Sequence, residues 1–189
     1  PRVKVYFEKA PLSFLPFIPR YKGVPNLLPN NNQAWNNYNL NATLGISGEW
    51  GDICRIGSWF LNNNTPGVFM SYSEVCFLQA EAALDNLWNK PASELLSEGI
   101  VANMEFYNSY ATNEQTITQL EISNYIQNLP PANLEEIITQ KWLSFAYEQG
   151  YEAYAEYRRT GFPVLKDFDG NPINTTLFPW RLPYPNSEF

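Results

Sequence analysis

Proline spacing is the feature that most limits how this chain can fold. Proline lacks the N–H that a helix interior needs, and its ring clashes with the preceding turn, so long helices must lie between prolines. Residues 11–66 contain six prolines and are therefore expected to be loop-rich. From residue 71 to residue 160 the only prolines are Pro91, Pro130 and Pro131, so helices are expected there.

Helix end signals and apolar spacing divide residues 71–160 into five predicted helices. Ser71 with Glu74, and Asn133 with Glu136, have the spacing of a capping box, in which side chains satisfy free N–H groups at a helix start. The predicted helices cover residues 73–88, 93–111, 116–129, 134–149 and about 151–159. Gly150 is interpreted as the C-terminal stop of the fourth helix.

Apolar residues at helical spacing indicate the buried face of each helix. They are Val75, Leu78, Ala82 and Trp88 in the first predicted helix, and Leu96, Ile100, Met104 and Tyr107 in the second. Trp142 is expected in the core of the fourth. The alternation in "RVKVYFE", residues 2–8, predicts one short strand. We therefore predict a mainly α-helical fold of helix pairs, with a loop-rich segment at 1–70, a helical segment at 71–160 and an extended tail at 161–189.

The types of residue that the chain lacks exclude several kinds of chemistry. There is no histidine, which excludes Ser-His-Asp and Cys-His catalysis and the common zinc sites. We predict no cofactor and no metal. Of the two cysteines, Cys76 lies in an apolar helical run and is interpreted as a buried thiol, while a disulfide bond to Cys54 stays open. The sequence contains no run of about 18 apolar residues, so no membrane-spanning helix is predicted.

The net charge of −7 is unevenly distributed. Residues 1–22 carry five basic residues and one acid, whereas residues 74–136 carry ten acids and one lysine. An acidic surface repels phosphate backbones, so nucleic acid is not expected as a partner.

Four segments, in order, resemble the C-terminal half of the SusD/RagB family: "MSYSEVCFLQAEAAL", "SEGIVANMEFY", "ITQKWLSFAYEQGYEAYAEYRRTGFPVL" and "RLPYPNSE". The opening "PRVKVYFEKAP" with "YKGVPN" is similar to a family segment that precedes variable loops. The resemblance implies a tetratricopeptide-related helical fold. It also implies a surface-exposed outer-membrane lipoprotein that captures glycans or other nutrients without turning them over, for a TonB-dependent, SusC-like transporter.

The family's lipoprotein signal, acylated cysteine and earlier helix pairs are not found in this sequence. The resemblance therefore indicates the C-terminal part of one SusD-like domain, covering residues 1–189. Contact with the membrane is expected only through an N-terminal lipid anchor that this chain does not contain.

A ligand site is predicted in the region of residues 30–60. Sugars present C–H faces that pack on aromatic rings and hydroxyls that bond to amides, and this stretch is rich in both groups. The candidate ligand-binding residues are Trp35, Tyr38, Trp50 and Trp59, with Asn31, Asn32, Asn36 and Asn37 nearby. The alternative is that the tryptophans pack into the helical core.

Two other functions stay open at this point. A helical carbohydrate-active enzyme would need a pair of carboxylates, and the candidates are Glu74, Glu81, Glu135 and Glu136. These acids stand at helix starts or on exposed faces, which favours solubility or dipole roles. The second open function is that of a scaffold that binds only protein.

The adjacent Arg158 and Arg159 could hold an anion, but we interpret them as a structural corner paired with Glu152 or Glu156 and packed on tyrosine.

Overall fold

The computed structural model describes residues 1–10, 21–22, 54–112, 115–146, 148–167 and 169–173. Within these residues the secondary structure is helical, apart from isolated bridges. The α-helices are α1 (Val3–Tyr6), α2 (Tyr72–Leu84), α3 (Ala92–Asn108), α4 (Gln119–Gln127), α5 (Leu134–Phe145) and α6 (Gly150–Thr160), and a 3-10 helix covers Ser58–Leu61. The mainly helical prediction is confirmed. Most of the predicted loop-rich segment and of the tail lies outside the described residues.

The helices pack around one core, with α2, α3 and α5 in mutual contact. Helix α2 packs against α3 and α5, α5 packs against α6, and α3 also contacts α4 and α5. The large, fully buried side chains come mainly from α3 and α5, with single contributions from α1, α2, α4 and the residues before α4: Val5, Phe77, Leu95, Ile100, Met104, Tyr107, Ile117, Ile122, Ile137, Ile138 and Phe145. The stripe predicted for α3, from Leu96 to Tyr107, is confirmed because all four of its residues are buried.

The strand predicted for residues 2–8 is wrong, because residues 3–6 form helix α1 and only Phe7 makes a bridge, with Ile56. Arg2, Val5 and Tyr6 have helical spacing and are all buried, whereas a strand would point Val5 and Tyr6 in opposite directions. The buried Arg2 guanidinium donates from Nε to Asn103 Oδ1 at 2.5 Å. These tertiary contacts select the helical turn.

The stripe predicted for α2 is also wrong. The buried residues of α2 include Glu74, Cys76 and Phe77, whereas Leu78 is 39% exposed. Trp88 lies beyond the end of the helix and is 46% exposed. Apolar residues occur on several sides of this helix, so spacing alone does not select the face that packs on α3.

Helix α5 ends earlier than predicted. Its C-cap is Ala146, which has a φ of 40°, and Gly150 begins α6 rather than ending α5. The face buried by α5 includes Ile138, Lys141 and Phe145, which places Trp142 on the adjacent side. The expected burial of Trp142 is wrong, since 37% of the residue is exposed.

The two predicted N-caps are confirmed, but the full reciprocal capping box occurs elsewhere. Ser71 accepts from the Glu74 N–H at 3.1 Å, and Asn133 accepts from the Glu136 N–H at 2.9 Å. The reciprocal pair is Thr118 with Glu121, at the start of α4. No disulfide bond joins Cys54 and Cys76, and Cys76 is buried as predicted.

The α4 capping box gives a test of acid stability. Hydrogen bonds from Lys4 and from the Thr118 backbone hold the pKa of Glu121 at about 2. A depressed pKa stabilises the folded state above the unfolded value, about 4.3, and this contribution is lost as the pH falls toward 2. Because Glu121 is 39% exposed, we expect Glu121→Gln to cost at most about 1 kcal/mol at pH 7.

Urea unfolding of both proteins from pH 7 to pH 3 would measure this cost. The difference in unfolding free energy between the parent chain and Glu121→Gln should stay constant from pH 7 to about pH 5 and shrink below that, as the unfolded-state carboxyl becomes protonated. Glu135→Gln, which changes an exposed acid in the first turn of α5, is the matched control. A cost that stayed the same at every pH would contradict the proposed role of the Glu121 charge.

Candidate functional site

An aromatic cluster joins the 3-10 helix to the C-terminal half of α3. The Trp59 ring lies flat on Tyr110, with centroids 4.7 Å apart and an interplanar angle of 8°. Trp59 also contacts Phe60 at 4.1 Å and the edge of Tyr107 at 5.3 Å. Aromatic pairs at these distances add to the energy of burial, so Trp59 contributes to packing at this position.

Trp59 is the one predicted ligand residue that the structure describes. It is partly buried, and its indole Nε1 is buried without a hydrogen-bond partner among the described residues. The other three candidates, Trp35, Tyr38 and Trp50, lie outside the described residues, as do Asn31, Asn32, Asn36 and Asn37. The predicted grouping of these residues in one ligand site stays a prediction.

A cavity of about 270 Å³ lies between the segment before α2, the middle of α3 and the residues after α5. Its aromatic wall is formed by Tyr72, Phe106 and Tyr107. Its polar wall is formed by Ser71, Ser73, Asn103, Ser144, Glu148 and Gln149. An apolar cavity with a few convergent polar groups is the usual composition of a small-molecule site. Sequence reasoning missed this cavity because its residues come from three separate parts of the chain.

Glu148 is the least satisfied group in the cavity wall. Its Oε1 atom is buried and has no hydrogen-bond partner in the described part of the chain. Burial raises the pKa of Glu148, because the carboxylate loses hydration. Glu148 and Val68 also line an adjoining cavity of about 440 Å³, which includes Asn62 and Thr65.

The floor of the cavity is held by a buried polar network. Asn103 Oδ1 accepts from Arg2 Nε and lies 3.2 Å from the Tyr6 hydroxyl. A hydroxyl has one proton, so the Tyr6 hydroxyl donates either to Asn103 or to the Leu143 carbonyl, whose oxygen lies 2.9 Å away. Burial raises the pKa of Tyr6 to about 12 and raises that of Tyr107 above its usual value, so both hydroxyls stay protonated. The network fixes Asn103 and Tyr107 at the base of the cavity.

The arginine pair forms the structural corner that was predicted. Arg159 donates to both carboxylate oxygens of Glu81, at 2.6 and 2.8 Å, and to Glu156 at 2.8 Å. Arg158 lies over the Tyr154 ring, 5.6 Å from its centroid. Gly161, with a φ of 77°, ends α6 in the left-handed conformation that favours glycine. This corner ties α6 to α2.

The four carboxylates considered for catalysis occupy separate environments. Glu81 is engaged by Arg159, Glu136 accepts from Gln140 at 2.8 Å, and Glu135 is exposed. Glu74 is buried, and burial raises its pKa although the Lys141 charge acts in the opposite direction. The part of the chain that the structure describes contains no group of three or more acidic, cysteine or histidine residues that could hold a metal ion.

Comparison with known proteins identifies the family. A family model described as SusD-like, starch-binding and associating with the outer membrane matches residues 1–185. The chain belongs to the SusD-like family. The resemblance seen in the sequence is thereby confirmed.

Solved structures agree with this SusD-like assignment. A chitin-binding protein superposes with a TM-score of 0.71 at 25% identity, over 100% of this chain and 40% of its own. A SusD homologue from Bacteroides fragilis superposes with a TM-score of 0.74 at 25% identity, over 99% of this chain and 42% of its own. A SusD-like protein of Bacteroidetes AC2a superposes with a TM-score of 0.58 at 23% identity, over 84% of this chain and 35% of its own. At this identity the likeness supports the fold alone.

This SusD-like chain therefore spans about two-fifths of the length of the first two of these structures. No curated protein matches its sequence significantly. Among the described helices, none combines the length and the apolar character that crossing a bilayer requires.

Proposed function

We propose that this chain is part of a non-enzymatic, glycan-binding protein of the outer membrane. In this proposal the protein captures an oligosaccharide or polysaccharide, or another nutrient, and passes it to a TonB-dependent, SusC-like transporter. The observation that carries the proposal is the family match over residues 1–185, whose description names starch binding and the outer membrane. The similarity to a chitin-binding protein over the whole chain supports a glycan as the ligand.

The contacts of Glu81 and Glu136 favour binding over catalysis. Glycoside hydrolysis needs two carboxylates held on either side of the scissile bond. Glu81 is bound in two-point fashion by Arg159, and Glu136 is bonded to Gln140 in its own helix. These acids contribute to packing and to helix stability, and a pure preparation should release no reducing sugar from the glycan that it binds.

We propose that the ligand is held by the 30–60 region through Trp35, Tyr38, Trp50 and Trp59. Loops on a rigid scaffold are where binding residues concentrate, and the helices α2 to α6 form such a scaffold. Trp59 is less suited to a mutational test than the others. Its contacts with Tyr107 and Tyr110 mean that Trp59→Ala would lower stability as well as binding.

Affinity electrophoresis in gels with and without starch or chitin tests the proposal. We expect Trp35→Ala and Trp50→Ala to weaken glycan retention while the melting temperature stays nearly unchanged. Arg159→Ala is the counterpart, since losing its bonds to Glu81 should lower the melting temperature and leave retention intact. Tryptophan variants that melt early but bind normally would show core packing instead. Transporter capture by a chain that retains no glycan would favour the scaffold that binds only protein.

The proposed location is the cell surface, with a lipid anchor in the full-length protein. The family description supports association with the outer membrane. Labelling the native protein with a radioactive fatty acid tests the anchor directly, and cell-surface proteolysis tests the side of the membrane. An outer-membrane protein that incorporates no fatty acid would contradict the proposed anchor.

A further inference from the structure

Among the described acids, Glu74 and Glu148 each have a buried carboxylate oxygen without a described partner, and of these two it is Glu148 that lines the 270 Å³ cavity. The described ion pairs engage Glu121 with Lys4, Glu98 with Lys90, and Glu156 and Glu81 with basic residues of α5 and α6. Glu148 takes part in none of these pairs, and its Oε1 is buried without a hydrogen-bond partner among the residues that the structure describes. Glu148 as a whole is half-buried, and burying one carboxylate oxygen without a hydrogen-bond partner costs free energy unless a ligand or water binds it.

The residues around Glu148 indicate which kind of ligand could bind its carboxylate. The 270 Å³ cavity is lined by Glu148 together with the aromatic side chains Tyr72, Phe106 and Tyr107. Aromatic faces attract cations and pack against the C–H faces of a sugar ring. The remaining wall supplies neutral hydroxyls and amides, from Ser71, Ser73, Asn103, Ser144 and Gln149. The Arg2 guanidinium is bonded to Asn103 and Gln140 and does not line the cavity.

We propose that this cavity binds a protonated primary amine carried on a hydroxylated ring, that is, an amino sugar, with the ammonium group against Glu148. The ammonium restores the charge balance of the carboxylate through a charge-assisted hydrogen bond. The ring packs on Phe106 and Tyr107, and its hydroxyls bond to the serine and amide side chains.

The size and charge of the site fit this ligand class. A cavity of about 270 Å³ lies at the lower end of the roughly 300–1,000 Å³ that ligand pockets occupy, which suits one sugar unit. The adjoining 440 Å³ cavity shares Glu148 and Val68, so the bound unit can be one end of a longer chain. The net charge of −7 attracts cationic ligands to the protein. The inference is independent of which glycan the 30–60 region binds.

Calorimetric titration of the 189-residue chain at pH 7 with glucosamine, glucose and N-acetylglucosamine tests the proposal. The three ligands differ in the amine but share the ring. We expect glucosamine to bind about tenfold or more tightly than the other two, the preference that one charge-assisted hydrogen bond provides. Equal binding of glucose and glucosamine would show a neutral sugar site, and no binding of any of them would show an empty cavity. Either result overturns the proposal.

Variants connect the preference to the cavity. Glu148→Gln should abolish the preference for glucosamine, while its midpoint of thermal unfolding should not fall, because glutamine has no charge to desolvate. Glu135→Gln, which removes an exposed acid at the start of α5, makes the same change in net charge and should leave the preference intact. A preference that survives Glu148→Gln would place the amine elsewhere and overturn the proposal.

Two further variants check that binding takes place in this cavity and separate this proposal from the proposed glycan capture. Ala102 lines the cavity, so Ala102→Leu should block glucosamine binding while Glu148 is retained, and binding that persisted would contradict the assigned cavity. Trp35→Ala should keep glucosamine binding even if it loses glycan retention. That pair of results separates failure of this inference from failure of the proposed glycan capture by the 30–60 region.

Discussion

Replacing Phe77 with alanine is expected to lower the free energy of unfolding by about 3–5 kcal/mol, the usual range for a fully buried phenylalanine. Phe77 has 0% exposure and lies between α2 and α3, where its ring rests on the backbone of Gly99. At roughly 2–4 °C per kcal/mol for a chain of this size, the thermal midpoint should fall by about 6–20 °C. Leu78→Ala, at the adjacent exposed position, is the control and should change the unfolding free energy far less.

The contact between Phe77 and Gly99 predicts a reversal of sign between two backgrounds. A Cβ at position 99 would lie 2.5 Å from Phe77 Cε1, and the Phe77 ring is fully buried. Gly99→Ala should therefore destabilise the parent protein by about 1–3 kcal/mol, although alanine is the better helix former by about 1 kcal/mol. In the Phe77→Ala background the clash is absent and Gly99→Ala should stabilise. If Gly99→Ala stabilised both backgrounds, the close approach of α2 and α3 would be refuted.

Replacing Glu156 with glutamine is expected to cost about 3 kcal/mol, the lower end of the range for breaking a buried ion pair. Lys141 on α5 is 3% exposed, and its Nζ lies 3.4 Å from Glu156 Oε1 on α6. Burial opposes ionisation of Glu156, but hydrogen bonds and charge from Arg159 and Lys141 outweigh it and hold the pKa of Glu156 below its usual value. The variant leaves the Lys141 ammonium buried with Glu74 as its remaining acidic neighbour, which is why we expect the lower end of the range.

Guanidinium-induced unfolding at pH 7 measures this cost, with Glu152→Gln as the matched control. Glu152 is an exposed acid one turn earlier in α6, so its replacement should change stability by less than about 0.5 kcal/mol. Lys141→Met combined with Glu156→Gln should cost less than the sum of the two single changes, because the double variant buries no unpaired ammonium. Equal costs for Glu156→Gln and Glu152→Gln would contradict a buried ion pair.

Sequence reasoning succeeded wherever one helix carries its own signal. The apolar spacing of α3, from Leu96 to Tyr107, is strict enough to identify the buried face without knowledge of the partner helix. The N-caps at Ser71 and Asn133 depend on a single local hydrogen bond. Each of these features is decided within a few residues.

Sequence reasoning failed where contacts with another helix determine which face of an element is buried. In α2, Glu74 is buried and Leu78 is partly exposed, and the Lys141 charge on α5 acts on the buried Glu74 carboxylate. The turn at α1 follows from the bonds of Arg2 to two distant helices, which no periodicity within residues 2–8 reveals. Lys141 of α5 is buried against α6, and the adjacent Trp142 therefore lies on a more exposed side of the helix. In each case a buried charged residue, which a hydrophobic pattern ignores, sets the rotation of its helix or turn.

The sequence by itself determined the mainly helical class, the positions of most helix starts, the family and the structural role of the arginine corner. Helix propensity, capping and proline spacing are local, and the family motifs are contiguous strings, so both can be recognised along one chain. Only the tertiary structure decided which polar groups are brought together and which are left unpaired. Glu148, Asn103 and Tyr72 are distant in sequence and line one cavity only because α3 packs against the segments that precede α2 and follow α5. A lack of charge compensation is a property of the folded neighbourhood, and for that reason the site proposed at Glu148 had no signal in the sequence.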